Sequence, residues 1–298
     1  MENILEINDL RKNFGSIYAV NGLSIQVKKG SVYGILGPNG SGKTTTLGIL
    51  LGAVTKYSGS FSWFENGDDA ENRRQIGALL EQPNFYADIS VKDNLRIVAL
   101  IKNVPDSDIY RVAELTGLES RLNDKYKNYS LGMKQRLGIA SALLGNPKVL
   151  ILDEPTNGLD PQGIIDIRNL IKTISAEGVT VIMASHVLDE IEKVCTHVCI
   201  IKDGAQKAEG KLSDIISGEN ILEVSSNDLS KLKEVILQIE TIRETDISLE
   251  QNTYHVKISQ ELDISKLNKH LMDSGISITH FSTRTKSLEE FFIQTTQS

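Results

Sequence analysis

Residues 32–45 read Val32-Tyr33-Gly34-Ile35-Leu36-Gly37-Pro38-Asn39-Gly40-Ser41-Gly42-Lys43-Thr44-Thr45. A short apolar strand runs into Gly-x-x-x-x-Gly-Lys-[Ser/Thr], and a helical pattern follows to about residue 51, where Gly52 stops it. Strand, glycine-rich loop and helix in that order make a phosphate cradle. The glycines of Gly37-Pro38-Asn39-Gly40-Ser41-Gly42 let backbone N–H groups converge on phosphate oxygens, and the helix start adds its positive end. Lys43 can reach β and γ phosphates, the Thr44 hydroxyl can ligate Mg²⁺, and Thr45 is placed to touch the α phosphate.

A second element matches the first. Val149-Leu150-Ile151-Leu152-Asp153-Glu154 is an apolar strand ending in two acids. In a parallel sheet those acids stand at the carboxyl edge, where ligands bind. Asp153 suits the magnesium, and Glu154 suits the attacking water.

Outward from these stretches, strand patterns fall at 4–8, 24–27, 32–36 and 60–64, broken by Lys28-Lys29-Gly30 and Glu65-Asn66-Gly67. Residues 86–146 carry helical spacing, with Val91, Leu95, Val98 and Ile101, then Leu137, Ala140 and Leu144. Strands at 149–152, 179–184 and 198–201 alternate with helices at 163–177 and 187–194. Alternation of this kind predicts a mostly parallel sheet faced by helices. The rhythm changes near Ser217-Gly218. Beyond it the predicted order is β-α-β-β-α-β-α, with strands at 221–224, 242–249, 254–258 and 276–281 and a last helix at 288–293. That order predicts a ferredoxin-like module.

The chain has 298 residues, 32 Lys+Arg against 39 Asp+Glu, and 40% hydrophobic residues. The composition excludes disordered, collagenous and coiled-coil classes, and the acidic balance does not advertise nucleic-acid binding. No apolar run approaches the ~18–20 residues a membrane span needs. Met1-Glu2-Asn3 carries no signal-peptide pattern, so a cytoplasmic chain is expected. Cys195 and Cys199 bracket His197, but three local candidates on a buried strand favour core packing over a metal.

Further motifs carry a family resemblance over roughly residues 3–215. The sequence resembles the ATP-binding subunit of an ABC transporter. Phe14, in Lys12-Asn13-Phe14-Gly15, occupies the place of the aromatic that stacks on adenine. Gln82, in Leu80-Glu81-Gln82-Pro83, is similar to the Q-loop glutamine that reaches metal and water. Tyr129-Ser130-Leu131-Gly132-Met133 takes the place of the signature motif, Asn157-Gly158-Leu159-Asp160 that of the D-loop, and His186 that of the switch histidine. The signature departs from Leu-Ser-Gly-Gly-Gln at three of five positions. Ser130 and Gly132, which the resemblance assigns to the nucleotide, remain. Met133 cannot hydrogen-bond as Gln would, so a weakened contact there is expected. The string from Tyr129 to Arg136 and the late Ser287-Leu288-Glu289-Glu290 resemble the bacterial multidrug, bacitracin and lantibiotic-immunity exporter subgroup.

The resemblance implies an α/β fold with a P-loop NTPase (RecA-like) core sheet, an antiparallel β subdomain and a helical subdomain at about 83–146. It assigns 1–217 to the ATPase domain and leaves 218–298 as an accessory domain with regulation as its candidate role. It implies ATP and Mg²⁺, with Glu154, His186, Lys43 and Gln82 catalytic. Phe14, the loop from Gly37 to Thr45, Ser130, Gly132 and Asp160 would bind nucleotide, and Thr44, Gln82 and Asp153 would serve the metal. The implied partners are a separate integral membrane subunit and a second copy of this chain, at the cytoplasmic face of the membrane. Phe85 and Tyr86 are candidate contacts to that subunit. The alternative is a soluble ABC ATPase acting on ribosomes or DNA. Such chains hold two cassettes or a long coiled coil, and only 47 residues, 83 to 129, separate Gln82 from Ser130 here.

Overall fold

The first strands are longer than the sequence pattern suggests. β1 (Asn3–Phe14) and β2 (Ile17–Lys28) form an antiparallel hairpin whose register shifts at four places. Those bulges break the alternation of apolar and polar residues, which is why only 4–8 and 24–27 read as strand. In this computed structural model residues 2–64, 70–216, 220–239, 241–259, 262–285 and 287–297 are described. The expected turn at Glu65-Asn66-Gly67 and the expected boundary at Ser217-Gly218 lie outside them. Contacts divide the chain into one unit up to Leu212 and another from Ser213.

In chain order the first unit continues with β3 (Val32–Leu36), α1 (Lys43–Leu50), β4 (Ser58–Trp63), α2 (Ala70–Arg74) and β5 (Ile76–Leu79). Next come α3 (Val91–Lys102), α4 (Ser107–Leu115), α5 (Leu131–Leu143), β6 (Val149–Asp153), α6 (Pro161–Ala176) and β7 (Thr180–Ser185). The unit closes with α7 (Leu188–Val194), β8 (His197–Lys202) and β9 (Ala205–Lys211).

The main sheet has the order β5-β6-β7-β3-β8-β9 and is parallel except for β9. β3, β6 and β7 are buried along their whole length. The side of the sheet carrying Tyr33, Ile35, Ile151 and Ile182 packs against α1 and against Leu5, Ile7, Ile25 and Trp63 of β1, β2 and β4. In addition α6 contacts β7, and α7 contacts β3 and β7. Their carboxyl ends deliver Gly37, Glu154 and His186 to one edge. A second, antiparallel sheet has the order β2-β1-β4. The side chains of Gln206 and Glu209 on β9 accept the backbone N–H groups of Ser24 and Gln26 at 2.9 and 3.2 Å and tie the two sheets together. Both β5 and β9 went unread in the sequence. β5 is four residues long, and β9 has no buried residue to mark a pattern.

α5 packs on β5. A side chain at Gly77 would stand 2.2 Å from the carbonyl of Ala142, and one at Gly138 would stand 2.9 Å from Leu79. Two glycines therefore let helix and strand approach. Lys102, at the end of α3, donates to the carbonyls of Ser141, Ala142 and Leu144 at 2.9–3.2 Å and closes the C-terminus of α5. Burial lowers the Lys102 pKa to about 8.

The second unit begins after Leu212 and contains β10 (Asn220–Ser226), α9 (Leu229–Ile236), β11 (Ile247–Glu250), β12 (Thr253–Ile258), α10 (Ile264–Asp273), β13 (Ile278–Thr285) and α11 (Leu288–Gln297), with α8 (Leu212–Ile216) at the junction. Its sheet has the order β11-β12-β10-β13 and is antiparallel throughout. In spatial terms that is fourth, first, third, second, the ferredoxin-like arrangement the β-α-β-β-α-β order predicted. Leu222, Val224, Leu232, Ile236, Val256 and Leu271 form its own buried core.

Candidate active site

β3 ends at Leu36, and the chain then turns through Gly37 to Gly42 before α1 starts at Lys43. Two glycines are required by space. A Cβ on Gly37 would lie 2.2 Å from the carbonyl of Ile201. Gly42 has φ +104°, and a Cβ there would lie 2.1 Å from the carbonyl of Ala19. Lys43 is buried, and its Nζ donates to the carbonyls of Gly37 at 2.8 Å and Pro38 at 3.2 Å. The same Nζ lies 3.3 Å from Glu154 Oε1.

Asp153 closes β6 with its side chain buried. Thr44 Oγ1 donates to Asp153 Oδ2 at 2.7 Å. Burial raises the Asp153 pKa, as do the negative charges of Glu154 and Glu81, against the Thr44 hydrogen bond and Lys43. Asp153 Oδ1 and Ser41 Oγ are buried without a partner. Unpaired buried polar atoms are costly, so the unsatisfied Asp153 oxygen suits a cation and the unsatisfied loop hydroxyl suits a phosphate. The donor set of Thr44 and Asp153 is hard oxygen, as Mg²⁺ prefers.

Glu154 adopts φ 49°, a left-handed conformation that a residue with a side chain adopts at a cost of about 1–3 kcal/mol. Its N–H is held by the carbonyl of Ala184 at 2.9 Å. The turn aims the carboxylate between Lys43 and His186, whose Nδ1 lies 2.8 Å from Glu154 Oε2. Lys43, Asp153, Glu154, Thr44 and His186 are thus joined by direct contacts. Gln82 is exposed at the rim, after Glu81 in a left-handed conformation (φ 58°). Phe14 is 54% exposed at the end of β1, with Lys12 Nζ 4.6 Å from its ring centre.

Ser130 caps α5 by accepting the N–H of Met133 at 3.3 Å. The Tyr129 side chain is buried and donates to the carbonyl of Arg121 at 3.0 Å, which accounts for a large residue where Leu is commoner. A Cβ on Gly132 would meet nothing nearer than Leu159, at 4.0 Å. Asp160 caps α6 by accepting the N–H of Gly163 at 2.9 Å. Phe85 stacks edge-on against Tyr126 at 5.5 Å, while Tyr86 is exposed. Cys195 and Cys199 are buried free thiols, and among the described residues no group of three or more His, Cys, Asp or Glu is placed to hold a metal.

Comparison with known proteins settles the family. The family described as ABC transporter matches residues 20–157. The bacitracin transport ATP-binding protein BcrA of Bacillus licheniformis is 38% identical, across 99% of this chain and 97% of its own length. The chain belongs to the ABC transporter ATP-binding proteins. It is therefore an ATPase of the kind coupled to transport, using ATP and Mg²⁺. The lantibiotic transport ATP-binding protein SrtF of Streptococcus pyogenes is 38% identical, across 76% of this chain and 97% of that relative. Residues 212–296 match the C-terminal domain of DrrA1-3-like ATP-binding proteins. Among solved structures, the cassette MJ0796, in a dimeric post-hydrolysis state bound to ADP and Pi, aligns with TM-score 0.61 at 27% identity. It covers 70% of this chain and 98% of that one. No helix among the described residues is long and apolar enough to cross a membrane.

One buried residue of this ABC ATPase went unread in the sequence. Glu190, on α7, accepts the hydroxyls of Thr156 and Ser185. An acid in an amphipathic helix reads as a surface residue, and nothing in the pattern marks it otherwise.

Proposed function

We propose that this chain is one of two identical ATPase subunits that close around two ATP and drive a separate membrane subunit, exporting a drug, peptide or lipid-like compound. The observation that carries this reading is the contrast between a finished phosphate site and an unpartnered signature. Lys43, Thr44, Asp153, Glu154 and His186 converge in one chain. Ser130 and Gly132 present a capped helix start with room for a Cβ at Gly132. Closing a second copy over the first gives each phosphate loop a signature and each signature a phosphate. The dimeric post-hydrolysis state of the related cassette MJ0796 supports that arrangement.

In the proposed cycle Lys43 moves from the loop carbonyls to the β and γ phosphates, and the loop amides hold the triphosphate. Phe14 stacks on adenine, and Thr45 touches the α phosphate. Thr44, Asp153 and Gln82 hold Mg²⁺, which neutralises charge on the phosphate oxygens when bound. Glu154 takes the proton of the attacking water, and His186 orients Glu154 and the γ-phosphate. Ser130 donates to the γ-phosphate of the facing copy. Loss of that phosphate removes the bridge, and the copies part.

Export is favoured by the bacitracin and lantibiotic transport relatives. The working place is then the cytoplasmic face of the membrane. Residues 218–298 are read as an accessory domain. The test is capture of the Glu154→Gln chain with ATP from detergent-solubilised native membranes, followed by mass spectrometry. A stoichiometric multi-helix membrane protein supports the reading. Recovery of ribosomal or DNA-repair proteins without one overturns it.

A further inference from the structure

The Glu190 carboxylate is 2% exposed, and among the described residues no Lys, Arg or His forms an ion pair with it. Acids are almost never buried so deeply unless paired. What holds this one is a pair of hydroxyls. Oε1 accepts from Thr156, and Oε2 accepts from Ser185 at 2.9 Å. Thr156 stands two residues after Glu154, and Ser185 stands immediately before His186. Ser185 Oγ also accepts the N–H of Val187 at 3.0 Å, so its own proton is committed to Glu190.

The contacts close a ring. Glu154 meets His186 at 2.8 Å, and Glu190 ties Thr156 to Ser185. The strained turn at Glu154 hangs on the first arm, and the end of β7 on the second. We propose that Glu190 is a positioning residue for hydrolysis. Its single buried carboxylate sets the spacing between the general base and the switch histidine. This rests on the reading that Glu154 and His186 act at the γ-phosphate.

A carboxylate accepts from both hydroxyls at once. An amide accepts from one and must donate toward the other, so Glu190→Gln leaves one hydroxyl proton without its acceptor at nearly unchanged volume. The effect should fall on the chemical step, because misplacement of about 1 Å costs up to about 100-fold in rate.

The experiment measures kcat, KM and equilibrium binding of a fluorescent ATP analogue for Glu190→Gln and Ser185→Ala. It adds single-turnover rates for Glu154→Gln with and without Glu190→Gln. The expected result is about a tenfold loss in kcat for Glu190→Gln, with KM and binding within about twofold. Ser185→Ala should lose less in the same direction. In the Glu154→Gln background the Glu190 change should cost under about threefold, because the group it positions is already gone. Retained kcat in Glu190→Gln, a loss confined to KM, or the full tenfold loss in both backgrounds would overturn the proposal. Should Glu190→Gln fail to fold, the kcat-against-KM split of Ser185→Ala decides. Full activity of Glu154→Gln would instead sink the role of Glu154 and leave the Glu190 result to be read separately.

Discussion

The phosphate loop and the signature are built on different terms. At the loop, the key side chains meet others of the same chain. Lys43 sits on two carbonyls and Glu154, Thr44 on Asp153, and Gly42 is forced because a Cβ there would lie 2.1 Å from the Ala19 carbonyl. At the signature, Ser130 caps a helix and a Cβ on Gly132 would meet nothing nearer than Leu159, at 4.0 Å. In the proposed dimer, that room at Gly132 is what a facing nucleotide would use. The first region is held mostly by its own chain, and the second much less so.

The largest effect should come from Glu154→Gln. Removing the proposed general base should slow hydrolysis at least about 100-fold while ATP binding persists, as read by phosphate release and nucleotide titration. A fully active variant would break the finished-site half of the comparison.

The sharpest contrast should come from two alanines. Gly42→Ala meets both a left-handed φ and a carbonyl, and should cost on the order of 3 kcal/mol in thermal or denaturant unfolding. Gly132→Ala has room within its own chain and sits in a helix, where Ala is favoured over Gly by up to about 1 kcal/mol. It should therefore hold or raise the unfolding temperature while ATPase activity falls about tenfold, since close approach to the facing nucleotide is lost. Unchanged activity in Gly132→Ala would remove the case for an outside partner at that glycine.

The smallest effect belongs to the second unit. Glu223 accepts from Arg284 Nε at 2.6 Å, with His255 and His280 each at 3.6 Å. The Arg284 hydrogen bond leads in holding the Glu223 pKa below its usual range. A lowered acid pKa stabilises the fold above the ordinary carboxylate range, and the gain disappears as pH falls through the folded value. Glu223→Gln should thus lower stability by under about 1 kcal/mol near neutral pH, with the two chains converging in acid. The ATPase rate should not follow it.

Much of the site was legible because phosphate chemistry constrains neighbouring residues. Gly37 to Thr45 and Asp153-Glu154 are continuous strings, and their strand contexts carry period and length signals. The parallel sheet and the ferredoxin-like order followed from alternation. What escaped had no local signal. The hairpin of β1 and β2 hides its alternation behind bulges. β5 is too short to show a period. Glu190 is a tertiary residue, defined by Thr156 and Ser185, which lie 34 and 5 positions away. The left-handed turns at Glu81 and Glu154 are likewise invisible in residue types that disfavour them.

The central claim is that the open signature is completed by nucleotide on a second copy. The direct test is light scattering on a sizing column, using the Glu154→Gln chain with ATP and Mg²⁺, with and without Gly132→Asp. An acid in the first turn of α5 suits the helix but repels a γ-phosphate. The account predicts that the single variant shifts with ATP from 32.9 kDa to twice that mass, and that the double variant stays at the lower mass. A single variant that remains monomeric with ATP, or a double variant that dimerises as well, would contradict it.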